Sequence, residues 1–251
     1  MELSTAEWHQ RFLQQARWTE SVRRYLLSRM DRKPGFRILE TGCGTGAVTQ
    51  TLEVSPLSNR YGIDWNLKSL QLAQRADPVT SYTAGDAYRL PFASHSMDAV
   101  VCHYFLLWIA DPRAVLAEMM RVTRPGGWVM AFAEPDYGGR IDHPAALVEL
   151  GQLQRAALKR QGADPEMGRK LSGLFHAAGL QQIETGLLGG QWSGNPDPDA
   201  IEMEWKILSA DLSPILPKDQ IEAFKAADAA AWQSGDRVLF LPTFYGMGRK
   251  S

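Results

Sequence analysis

Apolar residues recur at helical spacing through the first thirty positions. Trp8, Phe12, Trp18, Val22, Tyr25 and Leu26 alternate with charges, which predicts one amphipathic helix ahead of the core. "DRKPG" breaks it, and "FRILE" opens the first strand. Short apolar runs then predict strands at 60–63, 80–84, 98–103 and 127–133, and helices fall between them over 46–53, 66–75 and 112–122. Strands alternating with helices of this length predict an α/β fold, a parallel sheet with helices on both faces.

The second half is less regular. "HPAALVELGQLQRAALKRQ" and "PEMGRKLSGLFHAAGL" read as helices, and "QQIETGLLG" reads as a strand. After a Pro/Asp-rich hinge, "AIEMEWKILSADL" and "PKDQIEAFKAADAAAWQSG" are again helical, and "RVLFLPTFYGMGRK" closes the chain as a single strand. The expected organisation is one domain over 1–251. Residues 1–30 form a helical lid, and helical insertions at 141–162 and 195–235 cap one end of the sheet.

Composition narrows the function classes. Lys+Arg 27 against Asp+Glu 28 provides no basic field for a phosphate backbone, so nucleic acid is not expected as a partner. Two cysteines, Cys43 and Cys102, suit a reducing compartment and argue against a disulfide scaffold or structural zinc. The N-terminus shows no basic-then-apolar leader and no apolar run long enough to span a bilayer, so the expected location is cytoplasmic.

The specific signal is "RILETGCGTGAVTQ", residues 37–50, where a strand runs into Gly42, Gly44 and Gly46. In an open parallel sheet the ligand lies beyond the carboxyl ends of the strands, and side chains are excluded where backbone must approach it. The spacing is G-x-G-x-G rather than the dinucleotide G-x-G-x-x-G. Glu40 stands two residues before the glycines, Asp64 ends the second strand and Asp86 follows the third. Asp64 is placed to take both ribose hydroxyls, and Asp86 to accept from an adenine amine. Three acids on successive strand ends outline an adenosine plus an ammonium group.

At these residues the chain resembles the class I S-adenosylmethionine-dependent methyltransferases. The resemblance is carried by "ILETGCGTG", "YGID", "GDAYRLPFASHSMDAVVCHYFLLW" and "EMMRVTRPGGWVMAFAEPDY", four separated motifs in order. Their wording is similar to the small-molecule branch that includes ubiquinone- and menaquinone-biosynthesis methyltransferases. The resemblance implies a Rossmann-like, seven-stranded, mostly parallel sheet with an antiparallel final strand, and S-adenosyl-L-methionine as cofactor. Carried over by position, Glu40 and the loop Gly42, Cys43, Gly44 and Gly46 face the methionine portion, with Cys43 a small residue fitting the turn. Asp64 holds the ribose with Trp65 beside the adenine, Asp86 and Ala87 bracket the adenine edge, and His103 faces the cofactor near the methyl. Arg17 reaches the cofactor carboxylate if the N-terminal helix folds over the site. A plainer reading stands beside these: Asp64 capping the next helix, and His103 filling the cleft floor.

Methyl transfer from a sulfonium is an in-line displacement that needs alignment and water exclusion more than covalent chemistry. "HYFLLW" follows the fourth strand, not the Asn/Asp-Pro-Pro-aromatic run of base-amine methyltransferases, and no acidic cluster there predicts a metal. A small organic acceptor is therefore expected, contacted by Tyr104, Trp108, Tyr137 and Arg140, with Asp136 and His143 nearby. His103 or Glu134 is the candidate base, and Arg140 would pair with an anionic acceptor. The competing readings are a nicotinamide-dependent oxidoreductase, whose fingerprint is not evident, and a non-catalytic S-adenosylmethionine-binding protein.

Overall fold

The computed structural model describes residues 3–31, 33–52, 59–189 and 197–251. Ser4 caps α1 (Thr5–Trp18) through a reciprocal pair of hydrogen bonds with Glu7. Where one helix was expected the structure has two, because α2 (Glu20–Ser28) starts after a break at Thr19. The Thr19 hydroxyl lies 3.0 Å from the Gln15 carbonyl, and the Arg23 guanidinium donates to the Ala16 carbonyl at 2.6 Å, so side chains satisfy the α1 C-terminus.

The strands then follow: β1 (Arg37–Thr41), β2 (Asn59–Asp64), β3 (Ser81–Ala84) with α3 (Leu67–Ala76) before it, and β4 (Met97–Cys102). α4 (Pro112–Val122) leads into β5 (Thr123–Pro135). Ile38, Leu39, Val100, Val101, Val129 and Met130 are all fully buried, which is why these strands read as continuous apolar runs rather than alternating ones. After β6 (Ile141–His143) come α5 (Val148–Arg160), α6 (Met167–Ala177), β7 (Gln181–Leu188), α7 (Pro198–Leu212), α8 (Lys218–Ser234), β8 (Val238–Phe240) and β9 (Thr243–Arg249). The main sheet runs β3-β2-β1-β4-β5-β9-β7, with β9 antiparallel to both neighbours. Strand order reverses between β1 and β4, so the loops after these two strands frame the crevice where such sheets bind ligands.

Two expectations need correction. The helix over 46–53 is only a 3₁₀ turn at Thr49–Thr51, with 53 outside the described residues. Thr49 gives its hydroxyl to Glu40 and Thr51 to the Val48 carbonyl, local bonds that compete with a helical ladder. The closing strand is split at Leu241–Pro242: β9 joins the main sheet, while β8 pairs antiparallel with β6 in a separate ribbon. Proline has no N–H for a ladder, which ends the run there.

Beyond the sheet, Leu147, Leu150, Trp205, Leu208, Leu212, Ile221 and Ala231 form a second apolar cluster joining α5, α7 and α8. A buried ionic network ties it to the ribbon. Arg140 and Arg237 both pair with Asp142, and Asp228 accepts from Arg237 Nε at 2.6 Å and Trp205 Nε1 at 2.8 Å. Removing one member of a buried pair strands its partner, typically at about 3 kcal/mol or more. Asp228→Ala is therefore expected to lower stability by about 3 kcal/mol in urea unfolding. A loss under about 1 kcal/mol would show that the network does not anchor these helices.

Candidate active site

The loop after β1 turns through Gly42, Gly44 and Gly46, all at positive φ. The N–H groups of Gly42 and Cys43 both bond the Ile63 carbonyl, at 2.9 and 3.0 Å. Gly42 also has no room for a side chain, since a Cβ there would lie 2.1 Å from the Phe105 ring.

Asp64 connects the parts. Its Oδ2 accepts from Gly44 N–H at 2.8 Å and its Oδ1 from Asn66 N–H at 2.9 Å, while Asn66 caps α3. One carboxylate thus fixes the glycine loop against the start of the next helix and stays half-buried, with further lone pairs on each oxygen. Asp86 is exposed. Its Oδ1 takes Tyr88 N–H at 2.9 Å, and no hydrogen bond among the described residues uses its Oδ2. Ala87 packs against the core beside it, and Trp65 is 87% exposed at the open rim.

The opposite end of the loop is covered. Phe12 of α1 approaches Gly44, His9 Nδ1 lies 2.8 Å from Thr45 Oγ1, and Phe105 presses on Gly42. A ligand lying along the whole loop must displace these rings. Behind the loop, Glu40 is buried and bonded by Thr49. Burial pushes its carboxyl up to about 8, against the pull of Thr49 and Arg23. The Thr41 hydroxyl at the mouth of the loop is buried without a hydrogen-bond partner among the described residues. Both thiols are buried and pushed well up by desolvation, which suits packing and not nucleophilic chemistry.

Several expected roles do not fit the geometry. Arg17 is exposed at the end of α1; the arginines turned inward are Arg11 and Arg23. Glu134 is fully buried and accepts three backbone N–H groups, from Phe105 at 3.0 Å, Leu106 at 2.8 Å and Leu107 at 3.1 Å. It caps the turn after β4 rather than standing free as a base, though burial raises its carboxyl to about 7. His103 Nε2 lies 2.9 Å from Thr19 Oγ1, and burial beside Arg23 lowers the imidazole to about 3. A neutral imidazole held there resists taking a proton. Arg140 is bound to Asp142 and Gln154 with its side chain 5% exposed, so it is not free for an anionic acceptor. Trp108 is 47% exposed, Asp136 is paired with Arg169, and His143 is exposed on the ribbon.

Tyr104 and Tyr137 both pack against the main core at the carboxyl ends of β4 and β5. Tyr104 sits at φ 48, a left-handed conformation that costs a non-glycine residue about 1 kcal/mol or more, and its ring meets His103 edge-on at 4.7 Å. Both tyrosines are half-buried, yet desolvation is the largest cause raising each phenol. Arg11 and Glu204 act on both phenols. No local pattern in the chain marks Arg11, Glu204 or Thr19. Arg11, Gln14 and Trp18 share a helical face, but the partner of that face lies 193 positions away. Among the described residues no group of His, Cys, Asp and Glu could hold a metal, and no helix is long and apolar enough to cross a membrane. A cavity of about 370 Å³ lined by Arg29, Lys33, Asp98, Arg124 and Arg249 opens at the amino ends of the strands, away from the loop.

Glu134→Ala leaves three buried N–H groups unpaired, each worth about 1–3 kcal/mol, so a loss of about 3 kcal/mol or more is expected in urea unfolding. An unchanged midpoint would contradict the capping role.

Residues 39–131 match the family model of a methyltransferase domain. The demethylmenaquinone methyltransferase of Renibacterium salmoninarum is 35% identical over 122 residues, 48% of this chain and 51% of that protein. The chain thus spans about half the length of that curated relative. Among solved structures, the YcgJ protein from Bacillus subtilis superposes with TM-score 0.59 at 19% identity, covering 92% of this chain and 98% of the other. Haemonchus contortus phosphoethanolamine N-methyltransferase 2, solved with S-adenosyl-L-methionine, superposes with TM-score 0.54 at 16% identity, covering 87% and 49%. At those identities the structural likeness speaks for the fold alone. The matched domain covers the glycine loop, Asp64 and Asp86, and the seven-stranded order gives the chain the fold of these solved structures.

Proposed function

We propose that the protein transfers a methyl group from S-adenosylmethionine to a small organic molecule. The observation that carries this reading is Asp64, a half-buried carboxylate at the end of β2 that holds the glycine loop with one oxygen and the start of α3 with the other, each oxygen keeping a further lone pair. In this reading Asp64 takes the ribose hydroxyls, the free Asp86 oxygen takes the adenine amine, and Ala87 and Trp65 flank the ring. Gly42, Cys43, Gly44 and Gly46 run under the methionine portion. Glu40 compensates its positive charge from behind the loop. The bound cofactor supplies a methyl group activated on a sulfonium.

The chain's own contribution is positioning and exclusion of water. Aligned reactants are worth about 7–11 kcal/mol, without covalent chemistry by the protein. Exclusion falls to α1 and the cap helices. α1 is tied to α7 by Glu7–Lys206 and Arg11–Glu204, and Gln14 donates to the Ala200 carbonyl at 3.3 Å, so this roof would lift and close as one piece. Tyr104 and Tyr137 would face the acceptor. His103 and Glu134, both engaged by hydrogen bonds, would not take its proton, which favours an acceptor already ionised when it enters.

Isothermal titration calorimetry with S-adenosylhomocysteine tests this reading. Wild type is expected to bind, and Asp64→Ala to lose at least about tenfold in affinity, the value of one lost charged hydrogen bond. Equal affinities would remove Asp64 from the ribose. Because ionised Glu40 attracts the ligand ammonium, affinity should rise with pH up to about 8 and then level, and Glu40→Gln should flatten the profile. The same slope in Glu40→Gln would put the titrating group elsewhere. Methyl-donor consumption with a panel of phenols, quinols and amines then reads the activity itself.

A further inference from the structure

The cavity at the amino ends of the strands gathers more positive charge than its own acids neutralise. Its walls come from the end of α2, the turn into β1, the starts of β4 and β5, and the end of the antiparallel β9. These bring Arg29, Lys33, Arg124 and Arg249 together with Asp31 and Asp98, four cations against two carboxylates. Asp98 is already engaged: Oδ1 accepts from Arg124 Nε at 2.5 Å and Oδ2 from Arg37 N–H at 2.7 Å. Asp31 lies 3.7 Å from Lys33 with both side chains at least 80% exposed, and so open a pair neutralises little. Arg249 has a neutral partner, donating from Nε to the Gly126 carbonyl at 2.9 Å. The Arg29 side chain makes no hydrogen bond or ion pair among the described residues.

Two of these guanidiniums converge. Gly126 turns between them at φ 71, and a Cβ there would stand 3.8 Å from Arg249 Nη2 and 4.0 Å from Arg124 Nη1. Among the described residues no carboxylate bonds either nitrogen, and Arg124 Nη1 has the Pro125 carbonyl at 3.3 Å. On an ordinary solvated face cations spread apart, because like charges within a Debye length of about 8–10 Å repel. Here packing opposes the spreading. The Arg249 guanidinium lies over Trp128, 5.4 Å from the ring centre, and Asp98 holds Arg124. The lining also includes Pro34, the buried Phe36 and the half-buried Trp128, which offer apolar surface beside the charges. Gly35, at φ 81, leaves open space, with nothing within 4 Å of where its Cβ would be.

We propose that this cavity is a second binding site, for the phosphate dianion of a small monoester. Guanidinium forks match phosphate oxygens in both charge and geometry. Arg124 and Arg249 take the phosphoryl oxygens through their Nη groups, Arg29 and Lys33 balance the second negative charge, and the carbon body lies against Trp128 and Phe36. The volume of about 370 Å³ exceeds what one inorganic ion fills and falls at the low end of small-ligand pockets, about 300–1,000 Å³. Lys+Arg 27 against Asp+Glu 28 leaves no wider basic field for a phosphate polymer. The site lies a strand's length, roughly 17 Å, from the crevice at the carboxyl ends, and it stands whether or not the chain transfers methyl groups.

The test is calorimetric titration of the full chain with phenyl phosphate, with phenyl sulfate and inorganic phosphate as comparisons, in phosphate-free buffer at low ionic strength. Wild type should bind phenyl phosphate, equally well with S-adenosylhomocysteine present. Phenyl sulfate has the same shape but one charge fewer above neutral pH, so it should bind at least about threefold more weakly. Inorganic phosphate, which lacks the ring, should also bind more weakly. Arg249→Gln should weaken phenyl phosphate about tenfold. Arg29→Gln removes a side chain with no bond to lose, should weaken it at least about threefold, and carries the test should Arg249→Gln fail to fold. Arg75→Gln, exposed on α3 outside the cavity, should change nothing. The proposal is overturned if phenyl phosphate does not bind, if either comparison anion binds as tightly, or if neither Arg249→Gln nor Arg29→Gln lowers the affinity. An equal loss in Arg75→Gln, or displacement of the probe by S-adenosylhomocysteine, would also overturn it, by placing the probe on the general surface or in the crevice.

Discussion

A parallel sheet delivers its loops to one edge, but loops are soft, and something must fix their relative positions to within ångströms. Here the Asp64 carboxylate does so with two backbone hydrogen bonds, one to the glycine loop and one to the start of α3. The loop cannot drift from β2 while both hold, and its own N–H groups on the Ile63 carbonyl reinforce the same registry. This makes Asp64 both a structural brace and a half-buried anionic feature of the crevice, with Asp86 more exposed beside it. Its plainer reading as a helix-start acid and its ligand-holding reading are compatible, because a carboxylate has lone pairs for both.

The crevice is asymmetric. Its outer end, around Trp65 and Asp86, stands open, while its inner end is roofed by aromatic rings from α1 and from the turn that Glu134 caps. Two different constraints hold this roof. The turn after β4 is clamped from within the sheet domain by one buried carboxylate; α1 is clamped from outside by ion pairs to α7. Ligand entry along the full loop therefore acts on α1 and its cap partners, where the bonds lie nearer to solvent, before it acts on the Glu134 turn.

Much of this was legible because the rules involved are local. Strands buried on both faces read as apolar runs, and a glycine turn followed by acids on successive strand ends marks the crevice without any knowledge of packing. What failed depended on side chains competing with backbone. Thr49 and Thr51 divert the stretch after the loop from a helix, Thr19 and Arg23 close α1 early, and Pro242 splits the last strand. Glu134 shows a second kind of failure: an acid at a strand end looks the same whether it meets a ligand or three backbone N–H groups. Arg11 shows a third, since its pairing with Glu204 joins opposite ends of the chain and neither residue carries a local mark. Arg17, on the same helix, is exposed to solvent.

With His103 held neutral and Glu134 engaged, the chemistry this site can support is approximation, charge pairing and exclusion of water, which are sufficient for displacement at a sulfonium. The most direct measurement is a crystal structure of the protein with S-adenosylhomocysteine bound. Both ribose hydroxyls are expected on Asp64, the adenine amine on Asp86, and Phe12 and Phe105 moved off the glycine loop. A ligand bound elsewhere, with Phe105 still seated on Gly42, would contradict it.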